Sequence, residues 1–98
     1  MRFEWDKAKN QRNVAKHRIS FEIAQLVFAD PNLLSLQDRV VDGEERWQSL
    51  GLIDGVIVVL VAHTYRCEEG EEVIRIISAR KGTPRERRAY EESREEQG

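Results

Sequence analysis

The sequence predicts an α+β domain: an antiparallel sheet, made of an N-terminal strand plus a four-stranded meander, with two N-terminal helices and a C-terminal helix packed on one face. Three observations predict it. Asp42-Gly43 and Asp54-Gly55 each separate two apolar runs, the sequence mark of a two-residue turn between antiparallel strands. Asp6 and Ser20 each stand directly before a segment with helical spacing. Thr83-Pro84-Arg85-Glu86 is a capping box with proline at the first helical position.

Each element has a local reason. "RFEW" near the start reads as a short strand. Asp6 caps a helix running to about His17. Its Lys9, Arg12 and Lys16 fall within roughly 60° of one another at about 100° per residue, and Ala8, Gln11, Val14 and Ala15 form the other, mostly apolar side. Ser20 caps a second helix, "FEIAQLVFA", in which Phe21, Ala24, Val27 and Phe28 make a buried stripe. Pro31 stops it, because the residue before a proline avoids helical geometry. "LLSLQDRVV", "EERWQSLGLI" and "VIVVLVAHTYR" follow as consecutive strands. "VIVVLV" does not alternate, so it is expected to be central and covered on both faces. "CEEGE" is expected to be a longer connection to the last strand, "EVIRIISAR". Strict alternation there puts Val73, Arg75, Ile77 and Ala79 on one face and Ile74, Ile76, Ser78 and Arg80 on the other. The final helix is expected to fray over 91–98.

The 98 residues make a single domain spanning 1–98. An apolar share of 40% supplies one small core but no enclosed active site, so a functional site is expected in a groove or on an open sheet face. The opening "MRFEWDKAKN" has no apolar leader, and the longest apolar run, Val56 to Ala62, is too short for a bilayer. The lone Cys67 cannot form an internal disulfide, which fits a reducing cytoplasm. No metal-ligand spacing appears, and no cofactor is expected.

The net charge of −2 hides a pattern: residues 1–20 carry +4, residues 73–90 carry +5, and the rest carries −11. Two basic segments that meet in space would make a polyanion site, although scattered surface charge is the plainer reading of the counts alone. Arg85, Arg87 and Arg88 stand in the first turn of a helix, against its dipole, unless an anion lies among them. Arg80 and Lys81 precede that helix. Pairing of Arg87 and Arg88 with Glu91 and Glu92 is the structural alternative. Arg75, in mid-strand among apolar neighbours, needs either an open face or a partner such as Glu45 or Asp38. His17 ends the first helix, where a cation is favoured, and is also a candidate proton carrier. His63 lies near Thr64 and Arg66, a group that suits a phosphodiester or an ordinary hairpin end. Trp5 reads first as core and second as a base-stacking surface.

Taken together, "FEWDKAKNQRNVAKHRISFEIAQLVFADP", "GEERWQSLG" and "IRIISARKGTPRERRAYEE" resemble the BrnT toxins of type II toxin–antitoxin modules. The resemblance implies a RelE-like fold and a ribonuclease that cuts RNA without a metal and so lowers translation. It also implies neutralisation by a BrnA-type antitoxin with a ribbon-helix-helix domain, with operator DNA bound only through the complex. Carried over by motif are Trp5, Lys9, Lys16, His17, Thr64, Arg66, Arg75 and Arg80. Of these, Arg66, Arg80, His17 and Thr64 are the expected catalytic residues, and Trp5, Lys9, Lys16 and Arg75, joined by Arg12, Lys81, Arg85 and Arg88 from the basic segments, are the expected RNA-binding residues. A domain that binds nucleic acid or antitoxin without cutting is the alternative.

Overall fold

The computed structural model describes residues 1–97 of the chain. Strand β1 (Arg2–Trp5) leads into helix α1 (Lys7–His17), then α2 (Phe21–Ala24), which continues as a 3-10 turn over Gln25–Ala29. Strands β2 (Leu34–Val41), β3 (Glu44–Ile53), β4 (Ile57–Glu68) and β5 (Glu71–Lys81) follow, and helix α3 (Pro84–Gln97) ends the described chain. Helix α3 is regular through Gln97 where fraying was expected from residue 91; Gly98 lies outside the described residues. Among the described residues no helix is long and apolar enough to cross a membrane.

The sheet order is β1-β5-β4-β3-β2. The meander is antiparallel, but β1 pairs parallel to β5, Arg2 with Val73 through Trp5 with Ile76, so the sheet is mixed rather than antiparallel throughout. Strand β1 takes the edge of the sheet beside β5 and runs in the same direction, so the first and last strands of the chain are neighbours. The helices also depart from expectation. Helix α2 with the 3-10 turn packs on one face, where Phe21, Ala24 and Val27 meet Val59, Val61, Ile74 and Ile76, and α1 docks beside them on β5. Helix α3 covers the opposite face, where Tyr90 meets Leu50, Val58 and Leu60. Strand β4 is therefore buried on both sides, as its unbroken apolar run requires.

Local signals act where expected. Asp6 accepts from the Lys9 N–H at 3.0 Å and Ser20 from the Ile23 N–H at 3.1 Å. Thr83 and Glu86 exchange reciprocal cap bonds at 3.2 and 2.9 Å. Asp42-Gly43 and Asp54-Gly55 both adopt positive φ. "CEEGE" is no long connection: Glu68 pairs with Glu71 across a tight turn at Glu69-Gly70, both in the left-handed region. Glutamate rarely takes that conformation, which is why the turn was hidden.

Two faces were misassigned. A bulge between Ile76 and Ser78 on β5 shifts the register against Ala62-His63, so Ala79 joins Ile74 and Ile76 in the core instead of lying opposite them. In α1 the supposed apolar side, Ala8, Gln11, Val14 and Ala15, is exposed, and the helix docks through the buried Asn13. Asn13 donates to the carbonyls of Ile19 and Ala79, both at 2.8 Å, and accepts the Ala79 N–H at 3.1 Å. Asn13→Ala leaves three backbone groups unpaired, two of them buried. Denaturant unfolding should show a loss of about 2–4 kcal/mol, more than a surface alanine substitution costs.

A candidate nucleic-acid interface on the open face of the sheet

Helix α3 covers one end of its face and leaves the other end open, with Gln48 and Arg75 exposed and Arg46 and Arg66 half-buried. On that open end one residue from each strand falls in a single row. Glu4 pairs with Arg75, Arg75 with Thr64, Thr64 with Arg46, and Arg46 with Arg39. At about 4.8 Å between strands the row is roughly 19 Å long.

Its centre is chemically unfinished. Thr64 is 1% exposed, and its hydroxyl has no hydrogen-bond partner among the described residues. The same holds for Nε of Arg46, directly across the strand pair. An unpaired buried hydroxyl costs about 1–3 kcal/mol, and a bound polar partner, whether water or ligand, relieves that cost. Arg75 has its nearest acid in Glu4, at 3.9 Å, rather than in Glu45 or Asp38. Glu4 also takes a 2.8 Å bond from Arg66, whose other nitrogens reach Glu68 at 2.9 Å. The Arg66 hydrogen bond holds the Glu4 carboxyl below the usual range, and Glu4 and Glu68 raise the Arg66 guanidinium in turn.

The other expected site residues divide by position. Lys9, Arg12, Lys16 and His17 line a groove with Ile77 and Ser78, so the basic stripe of α1 meets the β5 bulge. Lys81 and Arg85 are exposed at the start of α3, and Arg88 borders a polar groove with Arg87 and Arg94. Trp5 packs on the core, edge-on to Phe21 at 6.1 Å. His63 lies on the face opposite Thr64 and Arg66, 4% exposed, and burial lowers its pKa.

Arg80, expected in the catalytic set, is committed to α3: its guanidinium holds Glu86 at two points, 2.8 and 3.0 Å. This pair places an anion at the helix N-terminus for Arg80, and Arg85, Arg87 and Arg88 stay exposed around it. The Arg80 hydrogen bonds hold the Glu86 carboxyl down to about 2, against burial and with help from Thr83. A depressed carboxyl stabilises the fold above its unfolded pKa near 4.5 and loses that contribution as pH falls toward 2. Thermal melts should therefore show Glu86→Gln less stable than the parent at pH 7, by about 1 kcal/mol after solvent screening. The gap should close between about pH 4.5 and pH 2.

Sequence reading missed Glu4, Arg39 and Arg46. Arg46 lies within the "GEER" run and could have been found by aligning it with Thr64 across the Asp54-Gly55 hairpin; Glu4 and Arg39 carry no local signal.

A small α+β domain whose open sheet face carries a row of arginines around an unpaired hydroxyl has the build of a polyanion-handling protein. The chain belongs to the family described as "Ribonuclease toxin, BrnT, of type II toxin-antitoxin system", whose model matches residues 5–86. Its structure is similar to the 1.1 Å crystal structure of the Brucella abortus ribonuclease toxin BrnT, at 25% identity and a TM-score of 0.64, covering 85% of this chain and 97% of that one. No curated protein matches the chain in sequence.

Proposed function

We propose that the chain is a metal-independent endoribonuclease of RelE-like fold, the toxin of a type II module, which acts in the cytoplasm and lowers translation. The observation that carries this reading is the row Glu4–Arg75–Thr64–Arg46, with its unpaired hydroxyl and guanidinium N–H. Three donor side chains and one carboxylate suit a phosphate better than a cation. The RNA's own 2′-oxygen attacks phosphorus, the P–5′-O bond breaks, and the products carry a 2′,3′-cyclic phosphate and a 5′-hydroxyl. Thr64, Arg46 and Arg75 stabilise the charge that builds on the phosphorane oxygens, and Arg66 adds to the field. Lys9, Arg12 and Lys16 hold flanking phosphates along the α1 groove, with Lys81, Arg85 and Arg88 as outer contacts.

Proton transfer is the weaker part of the machinery. Glu4 stands in the row but is a poor base, because Arg66 holds it ionised. His17 in the α1 groove is the other carrier. Charge stabilisation therefore supplies most of the rate. The fitting partner is an antitoxin of the BrnA ribbon-helix-helix type, covering the cationic surface with acidic and apolar side chains and contacting operator DNA itself.

One observation favours a binder that does not cut: Glu4 and Glu68 already occupy Arg66. Purified protein with end-labelled RNA and a chelator separates the readings. Fragments ending in 2′,3′-cyclic phosphate support the enzyme; a mobility shift with intact RNA supports the binder.

A further inference from the structure

Directly behind the cationic row, on the other side of the sheet, lies a cavity of about 270 Å³. Phe28, Leu33, Trp47, Tyr65 and Ile74 form most of its wall. Trp47, Tyr65 and Ile74 are the chain neighbours of Arg46, Thr64 and Arg75, so cavity and row share three strands back to back. No charged side chain lines it.

Its polar groups form a chain with a fixed direction. His63 Nδ1 is 3.0 Å from the Thr64 carbonyl, which can only accept, so Nδ1 carries the proton. Nε2 of the neutral ring therefore accepts from the Ser49 hydroxyl at 2.7 Å. Ser49 has then used its proton and accepts from Ser35, also at 2.7 Å. Burial keeps the ring neutral, consistent with this order. The chain ends at Ser35, in the cavity wall, with oxygen lone pairs to offer and no proton left to give. The Trp47 indole N–H has no partner among the described residues.

We propose that this cavity binds a small uncharged aromatic molecule of one or two rings whose hydroxyl or N–H donates to Ser35. The size follows from the volume, since a cavity of about 150 Å³ holds benzene. The rings follow from Phe28, Trp47 and Tyr65, which stack or meet edges well. The absence of net charge follows from lining side chains that are all uncharged, Met1 among them, and the donor follows from the direction of the serine–histidine chain.

Indole is a suitable probe, with one N–H donor and two rings, and 1-methylindole is its donor-free control. Titration into ¹⁵N-labelled protein should give saturable shifts at the Trp47 indole N–H and at the amides of Ser35, Tyr65 and Ile74. 1-Methylindole should bind roughly three- to tenfold more weakly, the share of one neutral hydrogen bond. Ser35→Ala should fold normally and bind both compounds alike, and Leu33→Trp should fill the cavity and abolish the shifts. Shifts scattered over the surface, or equal affinity of the two compounds for the parent protein, would overturn the proposal. So would a cavity that sedimentation shows to be closed by a second copy and that takes up no indole. None of these readouts depends on RNA cleavage.

Discussion

Thr64→Val is expected to cut RNA about 10²–10³-fold more slowly than the parent, the usual cost of removing one preorganised donor, while being no less stable. The two effects have one cause. The hydroxyl is buried without a partner among the described residues, so in the free protein it contributes nothing to folding and carries a desolvation cost. Valine has nearly the same shape and removes that cost, giving a gain of about 1 kcal/mol or less. In the RNA complex the hydroxyl has a phosphate oxygen to meet, and valine has nothing to offer it. Arg75→Ala should lose activity on the same scale, with little effect on folding, because Arg75 is exposed and only loosely paired with Glu4. Thermal melts and single-turnover cleavage on the same preparations check both. If Thr64→Val is destabilised and still cleaves at the parental rate, the hydroxyl has a structural partner and the row is not the catalytic centre.

Gly51→Val is expected to unfold the protein or come close to it. A Cβ at residue 51 would stand 2.6 Å from the Val27 Cβ and 2.9 Å from the Val27 carbonyl oxygen. Neither can yield without moving the 3-10 turn, since the second contact is backbone and Val27 is fully buried. Overpacking of this kind costs about 1–3 kcal/mol for a yielding core, and more where backbone must shift. The same turn carries Phe28, which meets His63 edge-on at 4.9 Å, so even a folded variant should disturb the wall behind the row. Gly55→Ala is the control. Residue 55 has φ +68 and open space around it, so only the backbone term remains, about 1 kcal/mol. Chemical denaturation of both should show the larger loss at residue 51.

What could be read from the sequence was what local chemistry determines. Asp6, Ser20 and Thr83 cap their helices because each side chain bonds an N–H within three residues. The two Asp-Gly turns were legible because positive φ selects glycine and tolerates aspartate. Glu69-Gly70 makes the same turn with a residue that seldom adopts it, and so read as loop. The face of Ala79 depended on a bulge that no single residue marks. The docking side of α1 was hidden because polar Asn13, not an apolar stripe, faces the sheet, and its worth lies in bonds to residues six and sixty-six positions away.

The site divided in the same way. Residue type and motif point to Thr64 and Arg75 in the row and to Arg66 beside it, whereas Glu4 and Arg39 carry no local signal. Glu4 reaches Arg75 only through a parallel pairing that brings the two ends of the chain together. Arg80 was chosen for its place before a capped helix, but that same cap gave it Glu86 as a partner. Local reasoning located the cations and could not tell which of them were already neutralised.

The central claim is that the row Arg46–Thr64–Arg75 receives the RNA backbone. NMR titration of ¹⁵N-labelled protein with a 2′-O-methylated RNA, which binds but cannot be cut, tests it most directly. The account predicts saturable shifts at the Arg46 Nε–H and at the Thr64 and Arg75 amides, with weaker ones along Lys9, Arg12 and Lys16. Shifts confined to Arg87, Arg88 and Arg94 on α3, with the row unmoved, would contradict it.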